Sequence, residues 1–149
     1  MAVKTPQPAS DAAKTALTHV ENTLDPIIFP DSRVLLLGSM PSPKSREIGF
    51  YFGNPQNRFW RVVAALYGEK LLTSIPEKID FCKRHHLALC DVLKACDIKG
   101  ASDASIANPI PHNIGALIQD SSICAIFTLG GTATKFYRRY TEQQTGISA

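Results

Sequence analysis

The apolar positions of the chain fall into short uninterrupted runs and longer periodic stretches, which predict strands and helices respectively. Three runs are apolar almost throughout, at residues 33–37, 87–92 and 123–129. Continuous apolar runs of this length are typical of strands buried on both faces, as in a parallel sheet. We therefore expect three central strands.

Apolar residues at helical spacing separate and follow these runs. They predict helices over residues 59–67, 76–86, 114–119 and 132–140. Pro76 suits the first turn of a helix, and the side chain of Asn113 can cap the next one. Alternating strands and helices predict an α/β fold, namely a three-layer α/β/α arrangement with a short, mainly parallel central sheet.

The remaining segments are less regular. Asp11 can cap a short helix that ends near residue 22, and residues 94–107 are polar and predicted to be irregular. Residues 1–13 are polar and contain two prolines, so we expect a disordered lead-in before a single domain over residues 14–149. Gly146 resembles a helix stop and Ile147 the start of another strand, which suggests a chain truncated at its C-terminus.

The composition is that of an ordinary globular protein. Of 149 residues, 44% are apolar and 19% charged, and 16 basic against 13 acidic residues give a net charge of +3. This mild excess permits a nucleic-acid partner without requiring one. The sequence contains no apolar stretch of the roughly 18 residues that a membrane span needs, and its N-terminus lacks the apolar core of a signal peptide. We expect a soluble, cytoplasmic protein.

The sequence offers little sign of a metal site. Its four cysteines form no C-x-x-C pair, and no histidine stands at a metal-ligand spacing from them. Buried, reduced thiols are the expected interpretation.

The segment most suited to chemistry is residues 38–60, GSMPSPKSREIGFYFGNPQNRFW, between the first strand and the next helix. Ligands bind at the carboxyl ends of strands in open α/β sheets, which is where this loop begins. Phe50, Tyr51 and Phe52, followed by Asn54 and Asn57, combine aromatic faces with amides. Such a set suits a planar heterocycle, which a ring can stack on and an amide can pair with. The alternative is that the rings cap the core beneath the loop.

Other common catalytic patterns are absent from the sequence. It contains neither phosphate-cradling glycine motif and no G-x-S-x-G elbow, which counts against a small-molecule hydrolase. Gly130-Gly131 is interpreted as a turn, and His112 is a histidine that could face the strand ends.

Residues 38–60 resemble the first motif of the uracil-DNA glycosylase superfamily. GSMPS at 38–42 is similar to the glycine turn of the mismatch-specific uracil/thymine glycosylases, and PQNRFW at 55–60 to the end of their motif. The sequence of these residues is more similar still to the hypoxanthine-DNA (deoxyinosine) glycosylase branch. That branch also has a DVL segment and a serine–aspartate element, which are similar to residues 91–93 and 102–103 here.

The resemblance implies base-binding roles at five positions. Phe52 would stack on a flipped base, with Tyr51 near it. The turn at Gly38 would direct the backbone amides of Ser39 and Met40 toward the base or the attacking water.

The resemblance also implies a catalytic amide and a set of phosphate contacts. Asn57 is the first choice for the residue that positions the water, and Asn54 is the second. The basic residues that would meet DNA phosphates are Lys44, Arg46, Arg58 and Arg61.

The implied function is base-excision repair: hydrolysis of the N-glycosidic bond of a deaminated base, hypoxanthine or uracil, by a monofunctional DNA glycosylase that acts on DNA as a monomer. No cofactor is implied, and no iron–sulfur cluster, because no cysteine precedes Cys82.

Three departures from the family pattern favour the alternative of a non-catalytic nucleic-acid or nucleobase-binding domain. Met40 replaces an asparagine of the mismatch glycosylases, Leu129 replaces an asparagine of the branch, and no second motif follows the last predicted strand.

Overall fold

The fold is known from a computed structural model that describes residues 16–149; the predicted lead-in at 1–13 lies outside the described residues. The strands are β1 (Thr18–Glu21), β2 (Val34–Gly38), β3 (Leu87–Asp91), β4 (Leu93–Lys99), β5 (Ser102–Pro111) and β6 (Ala125–Thr128). The helices are α1 (Pro43–Ile48), α2 (Phe59–Leu66), α3 (Ile75–Arg84), α4 (Ile114–Ile118), α5 (Gly131–Tyr140) and α6 (Glu142–Thr145).

The three apolar runs form one parallel sheet in the order β3-β2-β6. Strand β2 is central, and its register places Gly38, its last residue, beside Asp91, the last residue of β3. The carboxyl ends of β2 and β3 therefore meet at one edge of the sheet.

Helices cover both faces of this sheet, which confirms the predicted three-layer α/β/α class. Leu35 and Leu37 of β2 face a core that also contains residues of α4 and α5, namely Ile114, Phe136 and Tyr137. Val34 and Leu36 face the opposite core, which contains residues of α2 and α3, namely Trp60, Val63, Phe81 and Cys82. A strand between two apolar layers must be apolar on both faces, which explains the uninterrupted runs.

The prediction of irregular structure at 94–107 is wrong. Strands β4 and β5 pair antiparallel there, and β1 pairs antiparallel with β4, so that a second sheet has the order β1-β4-β5. Irregular steps in the β4–β5 register break the alternation of polar and apolar residues, which hid these strands. The described part of the helix predicted after Asp11 is likewise wrong, because residues 18–21 form the edge strand β1.

Two smaller differences concern the loop and the C-terminal residues. Residues 43–48 of the predicted loop form helix α1, capped by Ser42, whose Oγ accepts a hydrogen bond from the Ser45 amide at 3.1 Å. Gly146 ends α6 with φ of +67°, as predicted for a helix stop. Ile147 does not begin a strand; it packs against the core, and its carbonyl accepts a hydrogen bond from the Tyr137 hydroxyl.

The other helices lie close to their predicted positions; the predicted cap at Asn113 is made, and a further cap is found at Ser74. Asn113 Oδ1 accepts from the Ala116 amide at 3.2 Å, and Ser74 Oγ accepts from the Glu77 amide at 3.2 Å. Within residues 16–149, no helix combines the length and the apolar character needed to cross a membrane.

Candidate active site

A pocket of about 140 Å³ opens where the loop leaves β2, at the carboxyl ends of β2 and β3. Its walls are Gly38, Ser39, Met40, Pro41, Ser42, Ser45, Tyr51, Phe52, Asn57, Asp91 and Leu129. An apolar protein cavity of about 150 Å³ holds one benzene molecule. The pocket is therefore of the order of size of a small planar ring system rather than of a whole nucleotide.

The turn after β2 forms the floor of the pocket, and it requires glycine at position 38. A Cβ on Gly38 would lie 2.5 Å from Asp91 Oδ1 and 4.0 Å from Cε1 of Phe52. The missing side chain lets the Asp91 carboxyl approach the backbone at the pocket floor. Ser39, Met40 and Pro41, which follow, are buried.

Of the three consecutive aromatic residues, two are buried in the core, and the third, Phe52, is half-buried at its edge. Phe50 and Tyr51 are buried, and the Tyr51 hydroxyl donates to the Asp25 carbonyl at 3.0 Å. Phe52 has φ of +52° and stacks on Phe59, with ring centroids 4.0 Å apart. A positive φ is uncommon for an aromatic residue, so the packing of the loop fixes this ring against the pocket.

The two predicted catalytic asparagines occupy different places. Asn57 lines the pocket; its Oδ1 accepts from the Phe59 amide at 2.8 Å, which leaves its NH₂ group available. Asn54 is not among the lining residues, and its Oδ1 accepts from the Gln56 amide at 3.0 Å. The structure therefore brings Asn57, but not Asn54, to the pocket wall.

A buried carboxyl that the sequence analysis did not assign to the site lies in the pocket wall. Asp91 is only 3% exposed, and its Oδ2 accepts from Asn22 Nδ2 at 3.1 Å. The pKa of Asp91 is raised to about 7; burial is the main cause, the hydrogen bond from Asn22 opposes the shift, and the nearby Asp103 adds to it. Near neutral pH this carboxyl is therefore divided between its neutral and ionised forms.

A second carboxyl lies next to the turn. Ser39 Oγ donates to Asp103 Oδ2 at 2.8 Å, which links the turn after β2 to β5 of the antiparallel sheet. This contact ties the turn of the parallel sheet to the antiparallel sheet.

Met40 and Leu129, the two departures from the family pattern, both line the pocket. Met40 is 8% exposed and packs in the core that includes Leu37 and Val92, whereas Leu129 is partly open to solvent. Neither side chain can hold a water by hydrogen bonding, so these positions supply apolar wall.

None of the four predicted phosphate-binding residues lines the pocket. Lys44 is exposed and pairs with Glu47 at 3.5 Å, and Arg58 and Arg61 are exposed at the start of α2. Arg46 is half-buried and lines a separate groove with Lys99. The side chain of His112 does not line the pocket either. Among the described residues, no three His, Cys, Asp or Glu side chains cluster in a way that could hold a metal ion.

The fold and the base-sized pocket at its strand ends agree with one known class of protein. The sequence profile of the family described as the Uracil DNA glycosylase superfamily matches residues 26–147, and the chain belongs to that superfamily. The resemblance found in residues 38–60 is thereby confirmed.

Two individual relatives share a name within this superfamily. The chain is 36% identical over 83 residues to a protein named hypoxanthine DNA glycosylase from Methanosarcina acetivorans, and 34% identical over 82 residues to one of the same name from Methanosarcina barkeri. These alignments cover 55% and 54% of this chain, and the chain spans about half of each relative, 52% in both cases.

A solved structure supports the fold over most of the chain. The solution NMR structure of a candidate uracil DNA glycosylase from Methanosarcina acetivorans superposes with a TM-score of 0.75 at 26% identity. The superposition covers 88% of this chain and 81% of the other.

Proposed function

We propose that this chain is a DNA glycosylase that removes a deaminated base, hypoxanthine in the first place and uracil in the second. The observation that carries the proposal is the pocket at the ends of β2 and β3. It has room for a small planar ring system, an aromatic face in Phe52 and an amide in Asn57. A base must leave the duplex to enter it, which costs a few kcal/mol and is least costly for a damaged or mispaired base.

The reaction is the hydrolysis of one bond. As the bond between C1′ of the deoxyribose and the base breaks, its electron pair leaves with the base, and the oxygen of a water bonds to C1′. The water loses one proton and the base gains one, so that the products are a free base and an abasic site. No lysine is among the residues that line the pocket, so a water is the nucleophile we propose.

Within the pocket, Phe52 stacks on the base, while the buried wall of Tyr51 and Met40 excludes water from its far side. Gly38, Ser39 and Met40 present backbone at the floor, where amide groups can stabilise charge on the leaving base. Asn57 positions the attacking water through its side-chain NH₂ group, or through Oδ1, which also accepts from the Phe59 amide. Asn54 supports the loop, because its Oδ1 and its carbonyl hold the amides of Gln56 and Asn57.

The function is tested with labelled duplexes that contain a single deoxyinosine or deoxyuridine, followed by alkaline cleavage of abasic sites. We expect wild type to convert deoxyinosine faster than deoxyuridine. Asn57→Ala should slow conversion by about a hundredfold, the scale of a lost group that acts on the attacking water. Asn54→Ala is the matched control in the same loop and should act mainly through stability.

The outcomes separate the alternatives. Equal losses in both variants, at matched thermal stability, would remove the catalytic role from Asn57. If the protein binds both duplexes but forms abasic sites in neither, the glycosylase proposal is contradicted and a non-catalytic binding domain is favoured. The apolar side chains of Met40 and Leu129 already provide an argument for that alternative.

A further inference from the structure

We propose that Asp91 is a catalytic residue that reads and activates the base, donating a hydrogen bond from Oδ1 to a carbonyl oxygen of the base at the pocket floor. Such an oxygen is present on hypoxanthine and uracil, whereas adenine and cytosine carry an amino group at the position from which deamination removed it. The inference rests on the proposed function and assigns the part of the pocket that selects deaminated bases.

The two oxygens of the Asp91 carboxyl have different surroundings. Oδ2 is occupied, because it accepts from Asn22 Nδ2 at 3.1 Å. Oδ1 lies at the pocket floor, next to Gly38 and near the ring of Phe52. Within residues 16–149 Oδ1 makes no hydrogen bond, and it is not among the enclosed polar atoms that lack a partner, so it is open to the pocket and free to meet a ligand there. A base in the pocket supplies such a ligand.

Asn22 determines which oxygen carries the proton. Its Oδ1 accepts from the Leu24 amide at 3.0 Å, and its Nδ2 donates both to Leu93 O at 3.0 Å and to Asp91 Oδ2. All three contacts fix the orientation of the amide, so Oδ2 always faces a donor. The proton of a neutral Asp91 is therefore best placed on Oδ1, toward the pocket. Asn22 acts as a positioning residue.

The surroundings favour a neutral Asp91. The titratable groups around it are Asp103 on β5, Cys90 on its own strand and Tyr51 in the loop, each neutral or negative. Burial raises the pKa of the Cys90 thiol and of the Tyr51 hydroxyl, so neither ionises near neutral pH. No cation contributes to the shifts of Asp91 among the described residues.

The chemistry requires a donor rather than a carboxylate. As the glycosidic bond breaks, negative charge develops on the base and reaches its carbonyl oxygen. A hydrogen bond from a neutral acid strengthens as that charge grows, whereas a carboxylate would repel it. The proton remains on Asp91 throughout; only its hydrogen bond changes in strength.

The test is the pH dependence of the second-order rate constant for hypoxanthine release, from about pH 5 to about pH 8.5, in wild type and Asp91→Asn. That rate constant reports the ionisation of the free enzyme. Wild type should lose activity with a midpoint near pH 7. Asparagine keeps a donor that cannot ionise, so Asp91→Asn should retain activity to within about tenfold and lose this midpoint. Asp103→Asn is the control that removes the neighbouring carboxyl; it should keep an alkaline midpoint but move it to lower pH, because the Asp103 carboxylate raises the pKa of Asp91.

A positioning variant sharpens the test. Asn22→Ala removes the hydrogen bond that favours the ionised carboxyl, so it should move the midpoint to higher pH, an effect that a loss of stability alone does not produce. An alkaline midpoint unchanged in Asp91→Asn, or a rate that rises through pH 7 in wild type, would overturn the proposal.

Absence of base release in wild type at every pH would contradict the proposed function instead. Asp91 is then tested by calorimetric binding of free hypoxanthine. We expect that affinity to fall above about pH 7 in wild type and to stay level in Asp91→Asn; equal pH dependence in the two proteins would overturn the role of Asp91.

Discussion

At the scale of single residues, the site depends on groups whose properties are set by neighbours far away in sequence. Gly38 matters because Asp91 needs the space that its side chain would fill, and Asp91 is oriented by Asn22, 69 residues earlier. None of these contacts is local, so each becomes visible only once the register of β2 against β3 is known.

The ionisation of Asp91 predicts a pH-dependent stability. Its pKa is raised from 3.8 to about 7, so the folded protein binds more protons than the unfolded chain between these values. The contribution to stability is complete below about pH 4 and is lost as pH rises through about 7. As pH rises from about 4 to above 7, the free energy of unfolding of wild type should fall by a few kcal/mol relative to that of Asp91→Asn. The size follows from ~1.4 kcal/mol per pKa unit. Urea unfolding of both proteins between those pH values checks this. A constant difference would contradict a buried, neutral Asp91.

At the scale of secondary structure, local signals and long-range pairing contribute differently to the site. The strands β2, β3 and β6 could be predicted because burial on both faces demands uninterrupted apolar runs, and the cap at Asn113 because its side chain bonds within one turn. By contrast, β4 and β5 could not be predicted, since register shifts interrupt their alternation.

The candidate site could be predicted in part for the same reason. The glycine turn, the aromatic residues and the amides lie in one continuous segment, so the sequence identifies them together. Which of the rings faces the pocket depends on tertiary packing, as the positive φ of Phe52 illustrates. The sequence signals a site role for Asp91 only through the DVL segment at residues 91–93, at the end of an apolar run.

Two serine caps allow stability to be separated from activity. Ser74 caps α3 and Ser42 caps α1, and only Ser42 also lines the pocket. Ser74→Ala should cost about 1 kcal/mol of unfolding free energy and leave base release unchanged. Ser42→Ala should cost a similar amount and also slow base release, because α1 closes one side of the pocket. Equal effects of both variants on the rate, measured well below their melting temperatures, would argue against a role of α1 in the site.

At the scale of the whole molecule, charge predicts how DNA is held. The net charge of +3 is small, so affinity should depend on a few local contacts near the pocket. Arg58 adjoins Asn57, whereas Arg139 stands at the far end of α5, which runs away from the carboxyl ends of the strands. Each loss of a phosphate contact reduces the salt slope of binding by about one.

Arg58→Gln should therefore lower the slope of log affinity against log salt by about one, and the charge-matched Arg139→Gln should leave it unchanged. Fluorescence anisotropy with a deoxyinosine duplex at several salt concentrations measures both. The same change in both variants would indicate that net charge, rather than the pocket mouth, attracts DNA.

The central claim is that this pocket hydrolyses a base from DNA, and isotope-labelled water tests it most directly. A deoxyinosine duplex is incubated with wild type in water enriched in oxygen-18, and the products are weighed by mass spectrometry. We predict unlabelled free hypoxanthine together with one labelled oxygen on the abasic sugar. Labelled base, or a duplex that binds and returns intact, would contradict the account.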